Sequence, residues 1–575
     1  MRSPILFRSL LIILPLILRV NFCLAEFNAD PGNILQDLQT KTAPDNGFRR
    51  DTILRDPKKI QKIDESGLNS EKRPSAEADA IVTRVDEVVV EGVTLLKKAE
   101  IDDITKRYAG KDLNYQKILT LIHELTDLYL DKGYITSRFY IPEQEIENNT
   151  LLIKAIEGVI GDINISTGKY FKEKSILEVV SLNKNDLLNI HHLERDLFEL
   201  NRNPDRTVKA KLTPGTEQGK TNITLDTTDH FPFHVTPTFD NLGRSSIGSN
   251  RYGLRLAHNN LMGYGDQLLS SVSLTKRSVG VLNHYEFPLH LPGVSVGIDQ
   301  GLSYVDVGGD VKALNIHGSA TSYSPFVQKY WLDKEKYKLY TNTAFSFKQL
   351  DTNVQGDDYS RDNLRVLTNA LTLEESDTHG RTFFRNEAAV GLDLFGSTLS
   401  STPNISRTGA GGQFFKYSGS VIRLEKLPLS TLGLLRGFWQ YSPDRLVSSE
   451  LFQIGGAYTV RGYSEGLMSG DRGYLASAEL RMPLYCIPSR VQVPFFKKPL
   501  RDVIQPIVFA DYGFIGVNHP PSGVKASNQL LGVGTGIRIQ LGSRLALRID
   551  MGLPLIHQPK TATARVHFGI ESTLF

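Results

Sequence analysis

Ile504-Gln505-Pro506-Ile507-Val508-Phe509-Ala510-Asp511-Tyr512-Gly513-Phe514 carries an apolar or aromatic residue at every even position, while Gln505, Asp511 and Gly513 occupy odd ones. Side chains along a strand point alternately to opposite faces, so Asp511 lies opposite the apolar stripe. In a transmembrane barrel such a stripe faces lipid and the other face lines the lumen. Alternation alone leaves two readings of Asp511: a solvated lumen carboxylate, or one half of an ion pair. Arginine is the partner that fixes a carboxylate's geometry as well as its charge, because its planar fork binds both oxygens.

The neighbouring segments alternate in the same way. Leu531, Val533, Thr535, Ile537 and Ile539 are interleaved with Gly532, Gly534, Gly536, Arg538 and Gln540. Leu545, Leu547, Ile549, Met551 and Leu553 are interleaved with Ala546, Arg548, Asp550 and Gly552. Upstream, Tyr474, Ala476, Ala478 and Leu480 are interleaved with Leu475, Ser477, Glu479 and Arg481. Segments of this length with one apolar and one polar-or-glycine face are the mark of membrane-spanning strands, and their succession predicts a barrel. From residue 230 to the end the chain is rich in glycine and aromatics and shows no long helix. About sixteen strands fit that length at roughly 22 residues per strand and connection.

The N-terminal 25 residues read as a secretory leader. Arg2 and Arg8 precede an apolar run, and Cys23-Leu24-Ala25 offers a cleavage site before Glu26. Val20-Asn21-Phe22-Cys23 does not fit a lipoprotein box. With Cys23 in the leader, Cys486 is left alone, which excludes an intramolecular disulfide or a cysteine-based metal site in the mature chain. The net charge of +3 gives no reason to expect a nucleic-acid partner.

Residues 26–41 contain one helix candidate, with Asp30 as cap, Pro31 in the first turn and Ile34, Leu35 and Leu38 on one face. Residues 42–80 have the polar, charged composition of a linker. A disordered mature N-terminus is the other reading of this region. From 85 the texture becomes α/β: a strand over 85–90, helices over 99–108 and 115–130, strands over 134–141 and 150–156. A similar order follows over 159–225, which predicts two βααββ modules in tandem or, as the plainer alternative, one larger α/β domain. No nucleotide loop, metal spacing or nucleophile motif is present, and no cofactor or enzyme activity is expected.

The whole mature chain resembles the transporters of two-partner secretion (TpsB), the ShlB/FhaC/HecB family. The resemblance rests on Gly133-Tyr134-Ile135-Thr136-Ser137-Arg138-Phe139-Tyr140-Ile141-Pro142, on Leu200-Asn201-Arg202 with Pro214-Gly215-Thr216, and on Phe239-Asp240-Asn241 with Asn259-Asn260-Leu261-Met262-Gly263-Tyr264-Gly265-Asp266. It rests most specifically on Val460-Arg461-Gly462-Tyr463 and on the Phe509-x-Asp511-x-Gly513 strand. One departure is the end of the chain: Phe575 stands on the parity opposite Val566, Phe568, Ile570 and Leu574.

The resemblance implies a leader (1–25), a plug helix (26–41), a periplasmic linker (42–80), POTRA domains at 81–158 and 159–229, and an outer-membrane barrel at 230–575. It implies a loop that folds into the lumen, where Arg461 pairs with Asp511 and with Glu479 while Gly462 allows the sharp tip. It implies recognition of a secreted exoprotein's N-terminal secretion domain on POTRA strands near Tyr134, Arg138 and Tyr140, by strand addition. Outer-membrane lipids and the barrel assembly machinery are the further partners implied. Export goes with cargo activation in the haemolysin-secreting members. The alternative is an insertase of the same superfamily. Two POTRA modules with a plug helix favour the transporter, and a plain porin would have no use for folded periplasmic modules.

Overall fold

The computed structural model describes residues 82–575, apart from 167, 290, 335, 495–498, 543, 559–561 and 575. The expected leader, plug helix and linker, and the terminal Phe575, lie outside the described residues.

The strand expected over 85–90 is two strands, β1 (Val82–Val85) and β2 (Glu87–Glu91). The chain bends between them at Asp86, whose N–H donates to the Asn149 carbonyl at 2.8 Å. After α1 (Lys98–Thr105), β3 (Lys111–Asn114) pairs with β1, a ribbon with no clear signal in the sequence. Asn114 then caps α2 (Tyr115–Asp131), its side chain accepting from Lys117 N–H at 3.0 Å. Ile118, Leu121, Ile122 and Leu125 recur on the inner face of α2 and are buried. Each contributes about 1.5–3 kcal/mol over remaining exposed. Gly133, at φ +86°, turns the chain after the helix; a Cβ there would lie 2.7 Å from the His191 ring. The next expected strand is shorter than its apolar pattern, because residues 134–137 form a turn closed by Ser137 N–H to the Tyr134 carbonyl. What remains is β4 (Arg138–Tyr140), followed by β5 (Thr150–Ile156). The sheet runs β2-β5-β4, with β2 and β5 parallel.

The next unit repeats the order: β6 (Val159–Ser166), α3 (Glu173–Leu177), α4 (Ile190–Leu200), β7 (Arg206–Pro214) and β8 (Lys220–Asp229). Its sheet runs β6-β8-β7, here with β6 and β8 parallel. Leu193, Leu197 and Leu200 of α4 pack with Val208, Leu212 and Ile223 beneath them. This unit meets the barrel through polar groups. Arg202 bonds Asp333 at 2.8 Å and lies over the Tyr330 ring. Asp205 takes the Asn259 side-chain N–H at 2.7 Å and the His234 ring nitrogen at 2.8 Å.

Eighteen further strands follow. Those of the first half are β9 (Phe233–Asp240), β10 (Arg251–His258), β11 (Gln267–Leu274), β12 (Ser278–Pro288), β13 (Val294–Asp306) and β14 (Ile316–Asp333). Next come β15 (Tyr337–Val354), β16 (Asp357–Ser376), β17 (Gly380–Gly391), β18 (Phe414–Lys426) and β19 (Leu432–Tyr441). A short ribbon, β20 (Phe452–Ile454) with β21 (Met468–Gly470), belongs to a loop. The barrel resumes with β22 (Arg472–Arg481), β23 (Ile504–Gly516), β24 (Ser527–Leu541), β25 (Leu545–Pro554) and β26 (Arg565–Ser572).

All but β20 and β21 close into one antiparallel barrel of sixteen strands. Closure removes every sheet edge and satisfies the backbone within the membrane. The closing seam is short: Gly569, Ile570 and Glu571 of β26 meet Asp240, Phe239 and Thr238 of β9. Tyr252, Trp331, Tyr474 and Val508 face outward, as exposed apolar side chains should in lipid. No described helix is long and apolar enough to cross a membrane. Cys486 lies beyond the end of β22 in the turn to β23, exposed and unbridged.

Candidate functional site

The loop from β19 to β22 turns back into the barrel, and its tip carries Val460, Arg461, Gly462 and Tyr463. All three side chains are essentially inaccessible to solvent. Arg461 is the largest fully buried side chain among the described residues. Its Nε and Nη2 donate to the two carboxylate oxygens of Asp511 at 2.7 and 2.9 Å, the bidentate contact that suits a planar guanidinium. Its backbone N–H adds a third bond to Asp511 at 3.1 Å. Nη1 donates to Glu479 at 2.5 Å and lies 4.0 Å from Asp550. The Phe509 ring centre is 3.5 Å from the guanidinium carbon, a cation–π contact in a desolvated setting. The strand parity of β22 and β23 thus places Glu479, Phe509, Asp511 and Gly513 on the wall that meets the loop. Ser477 of β22, opposite Asp511 in register, donates to the same carboxylate at 2.7 Å.

The charge network extends past the residues named from the motifs. Glu479 also accepts from Arg481 at 2.8 Å and Arg538 at 3.1 Å. Asp550, wholly buried, accepts from Arg538 at 2.6 Å and Arg548 at 2.7 Å. Arg548 reaches the loop itself, donating to the Ala457 carbonyl at 3.1 Å. Four arginines therefore share three carboxylates in one buried cluster. Buried charges are tolerable only when paired and hydrogen-bonded, as these are. Arg538, Arg548 and Asp550 stand at inward positions of alternating strands. The signal for them was an inward carboxylate flanked by inward arginines on adjacent strands. Only closure of the barrel shows that they converge on Arg461.

The shape of the socket depends on glycine. Gly462 has φ +97°, a left-handed conformation that a side chain resists. The loop backbone also presses against the wall: a Cβ at Gly532 would lie 2.0 Å from the Arg461 carbonyl, and one at Gly552 would lie 2.4 Å from Gly462 N. Gly513 leaves room for Val460, whose methyl would be 2.8 Å from a Cβ there. Val460 and Tyr463 pack with Ile454, Leu475, Ile515 and Leu530. The Tyr463 hydroxyl sits 2.9 and 2.8 Å from the Leu531 and Ile556 carbonyls and 3.1 Å from Ile556 N–H. It donates its one proton to a carbonyl and accepts from the amide. Gly462 N–H points at His567 Nε2, 3.4 Å away.

The residues expected to recognise a partner sit apart from this cluster. Arg138 is exposed on β4, an edge strand, and Tyr140 follows on the same strand, half-buried. Tyr134 lies in the preceding turn and packs against the first module's core. No group of metal-ligating side chains occurs among the described residues.

A family model described as haemolysin secretion/activation protein ShlB/FhaC/HecB matches residues 219–539, and one for the ShlB-type POTRA domain matches residues 83–158. The chain is 24% identical over 469 residues to the heme/hemopexin transporter protein HuxB of Haemophilus influenzae, covering 79% of this chain and 80% of that one. It is 24% identical to the outer membrane transporter CdiB of Dickeya dadantii, covering 83% and 84% of the two chains. In three dimensions it is similar to CdiB from Escherichia coli, with a TM-score of 0.73, 20% identity, and coverage of 96% of this chain and 100% of that one. The likeness to a BamA barrel from Haemophilus ducreyi is weaker, with a TM-score of 0.52 at 14% identity over 85% of this chain and all of that one. A periplasmic POTRA domain, a sixteen-stranded outer-membrane barrel and a family match over more than half the chain lead to one conclusion: this protein belongs to the ShlB/FhaC/HecB family of two-partner secretion transporters.

Proposed function

We propose that the periplasmic modules, taken as residues 81–158 and 159–229, capture the N-terminal secretion domain of one large exoprotein while it is extended. The barrel, taken as 230–575, then passes it through a lumen whose loop is held by Arg461. The observation that carries this reading is the buried contact of Arg461 with Asp511 and Glu479. It fixes a loop tip inside the conduit at the cost of burying charge, which a structural loop on the outside would not need. Edge strand β4, with Arg138 and Tyr140, has no further strand beside it among the described residues, which is where an extended segment would join by strand addition. Folding of the cargo outside opposes its return, so no nucleotide chemistry is required. Relatives named for haem/haemopexin transport and for haemolysin transport make haem-binding proteins and haemolysins the cargo classes to test first. The outward apolar stripe is matched to outer-membrane lipid, and insertion of such a barrel falls to the cell's barrel assembly machinery.

The test is the set of proteins released by cells with and without this chain. One large exoprotein should vanish from the medium of the deletion strain. A chain lacking residues 81–229 should still seat a barrel in the membrane but restore no export. Full export by that truncated chain would remove the recognition role of the modules.

A further inference from the structure

The lipid-facing wall changes character around the barrel. On β22–β25 the outward residues near mid-strand include Ala476, Ala478, Val508, Ala510, Val533 and Ile549. Thr535, on the same face, turns its hydroxyl back to the Ile507 carbonyl at 2.8 Å. On β11–β17 the middle of the wall is polar. Leu282 packs in the lumen and Ser322 is buried, so Asn283 and Tyr323, of the opposite parity, face out. Gln300 shares its face with Ile298 and Tyr304, both exposed. Asn283 is the central residue of β12, and Gln300 is that of β13. Hydrogen bonds join these side chains from strand to strand. Ser270 Oγ donates to Asn283 Oδ1 at 2.7 Å, Asn283 Nδ2 to Gln300 Oε1 at 2.9 Å, and Gln300 Nε2 to the Tyr323 hydroxyl at 3.4 Å. Further round, Asn369 Nδ2 donates to the Thr343 hydroxyl at 2.7 Å, and the Tyr417 hydroxyl donates to Asn386 Oδ1 at 2.6 Å.

This belt lies within the membrane, because apolar or aromatic residues flank it on both sides along each strand. Val281 and Tyr285 stand about Asn283, Ile298 and Leu302 about Gln300, and Leu367 and Leu371 about Asn369. A carboxamide at that depth has given up water, which is costly unless its hydrogen bonds are replaced. The ladder replaces only some of them. Each carboxamide nitrogen has two hydrogens, and those of Asn283, Gln300 and Asn369 each use one among the described residues. Hydrocarbon offers no acceptor for the other. We propose that the outer wall of β11–β17 is a contact face between two copies of this chain in the membrane. A carboxamide both donates and accepts, so the row is complementary to itself. A two-fold axis along the membrane normal sets one row against the other. A second copy inserted in the same orientation carries its belt at the same depth, which no unrelated membrane protein is bound to do. Hydrogen bonds between polar side chains hold membrane segments together in this way. The apolar wall of β22–β25, whose inner face holds the Arg461 socket, is left to lipid.

The test is thiol cross-linking of the purified full-length protein in phospholipid vesicles, over a series of protein-to-lipid ratios. Cys486→Ser serves as the background. In it, Ile298→Cys, beside Gln300 on the proposed face, should give a cross-linked dimer at low protein density. Val508→Cys, on the opposite wall, should cross-link only when crowding forces collisions. Adding Asn283→Leu and Gln300→Leu to Ile298→Cys should raise the density needed for half cross-linking about tenfold. Heat-modifiable migration on gels checks that each barrel is folded, and Asn283→Ala with Gln300→Ala keeps the test open if the leucine pair fails to assemble. Equal cross-linking from Ile298→Cys and Val508→Cys at every density would overturn the proposal. So would a folded leucine or alanine variant that pairs as the parent does. Cross-linking of Ile298→Cys in cells to a different protein, with no dimer of this chain, would overturn it in favour of another occupant.

Discussion

The first periplasmic module surrounds Leu121, Leu125, Leu151 and Ile153 with apolar neighbours, whereas the lumen buries Arg461, Glu479, Asp511 and Asp550 against one another. Both regions exclude water and neither leaves its central side chains exposed. They differ in what one deletion does. An apolar core loses contact area in proportion to the atoms removed and relaxes partly around the gap. A buried charge cluster that loses one member keeps the desolvation cost of the others and loses the attraction that offset it. The module is therefore built to fail in stability, and the lumen site to fail in function while its strands keep their ladder bonds.

The largest expected effect follows from that asymmetry. Arg461→Ala leaves Asp511 with Ser477 as its remaining side-chain donor, a loss on the order of 3–5 kcal/mol at the site. Export should fall to background while the heat-modifiable barrel persists in the outer-membrane fraction. A barrel that disappears with the arginine would erase the distinction drawn above. In the module, Leu125→Ala should cost about 2–5 kcal/mol of local stability. Protease digestion of the full-length protein across a urea series would show the periplasmic region becoming sensitive at lower urea, with the barrel unchanged.

Two smaller effects sharpen the comparison. Tyr463→Phe removes the hydroxyl between Leu531 and Ile556 and leaves their backbone groups short of a partner, about 1–3 kcal/mol, so export should drop partly rather than vanish. Glu157 ties the first module together at its surface. Burial alone would raise its carboxyl pKa, but hydrogen bonds from the Thr94 hydroxyl, from the Thr94 and Leu95 amides and from Tyr129 outweigh it and hold the value below the usual 4.5. A carboxylate with a lowered folded pKa contributes stability above its unfolded value and loses it as pH falls through the folded one. The parent module should therefore weaken below about pH 4.5, and Glu157→Gln should flatten that part of the profile. An unchanged slope in the variant would assign the acid sensitivity to other groups.

Much of the barrel was legible because strand parity is a local property. Asp511 and Glu479 face the lumen for the same reason that Val508 and Leu480 face lipid, and that reason is visible in ten residues. Arg538, Arg548 and Asp550 were visible as inward positions, but their meeting with Arg461 depends on register across four strands. The Gly532 and Gly552 socket was hidden for a similar reason: a glycine on the lumen face reads as small until the loop that presses on it is placed. In the modules, α2 was plain from its spacing of Ile118, Leu121, Ile122 and Leu125. The break at Asp86 and the shortening of β4 were not: the first is tied to Asn149, distant in sequence, and the second comes from a turn, Ser137 N–H on the Tyr134 carbonyl, inside an apolar pattern that reads as continuous strand. Glu450, buried in the loop between Lys348 and Lys416, carried no signal, because those two lysines lie 102 and 34 residues away.

The measurement that tests the central claim most directly is a double-mutant cycle on export, with Arg461→Ala, Asp511→Ala and the pair compared in cells holding equal amounts of folded barrel. Because the two residues make one interaction, the double variant should export little less than either single one. Losses that simply add, or an Arg461→Ala barrel that exports at the parental rate, would contradict an arginine that holds the loop in the export path.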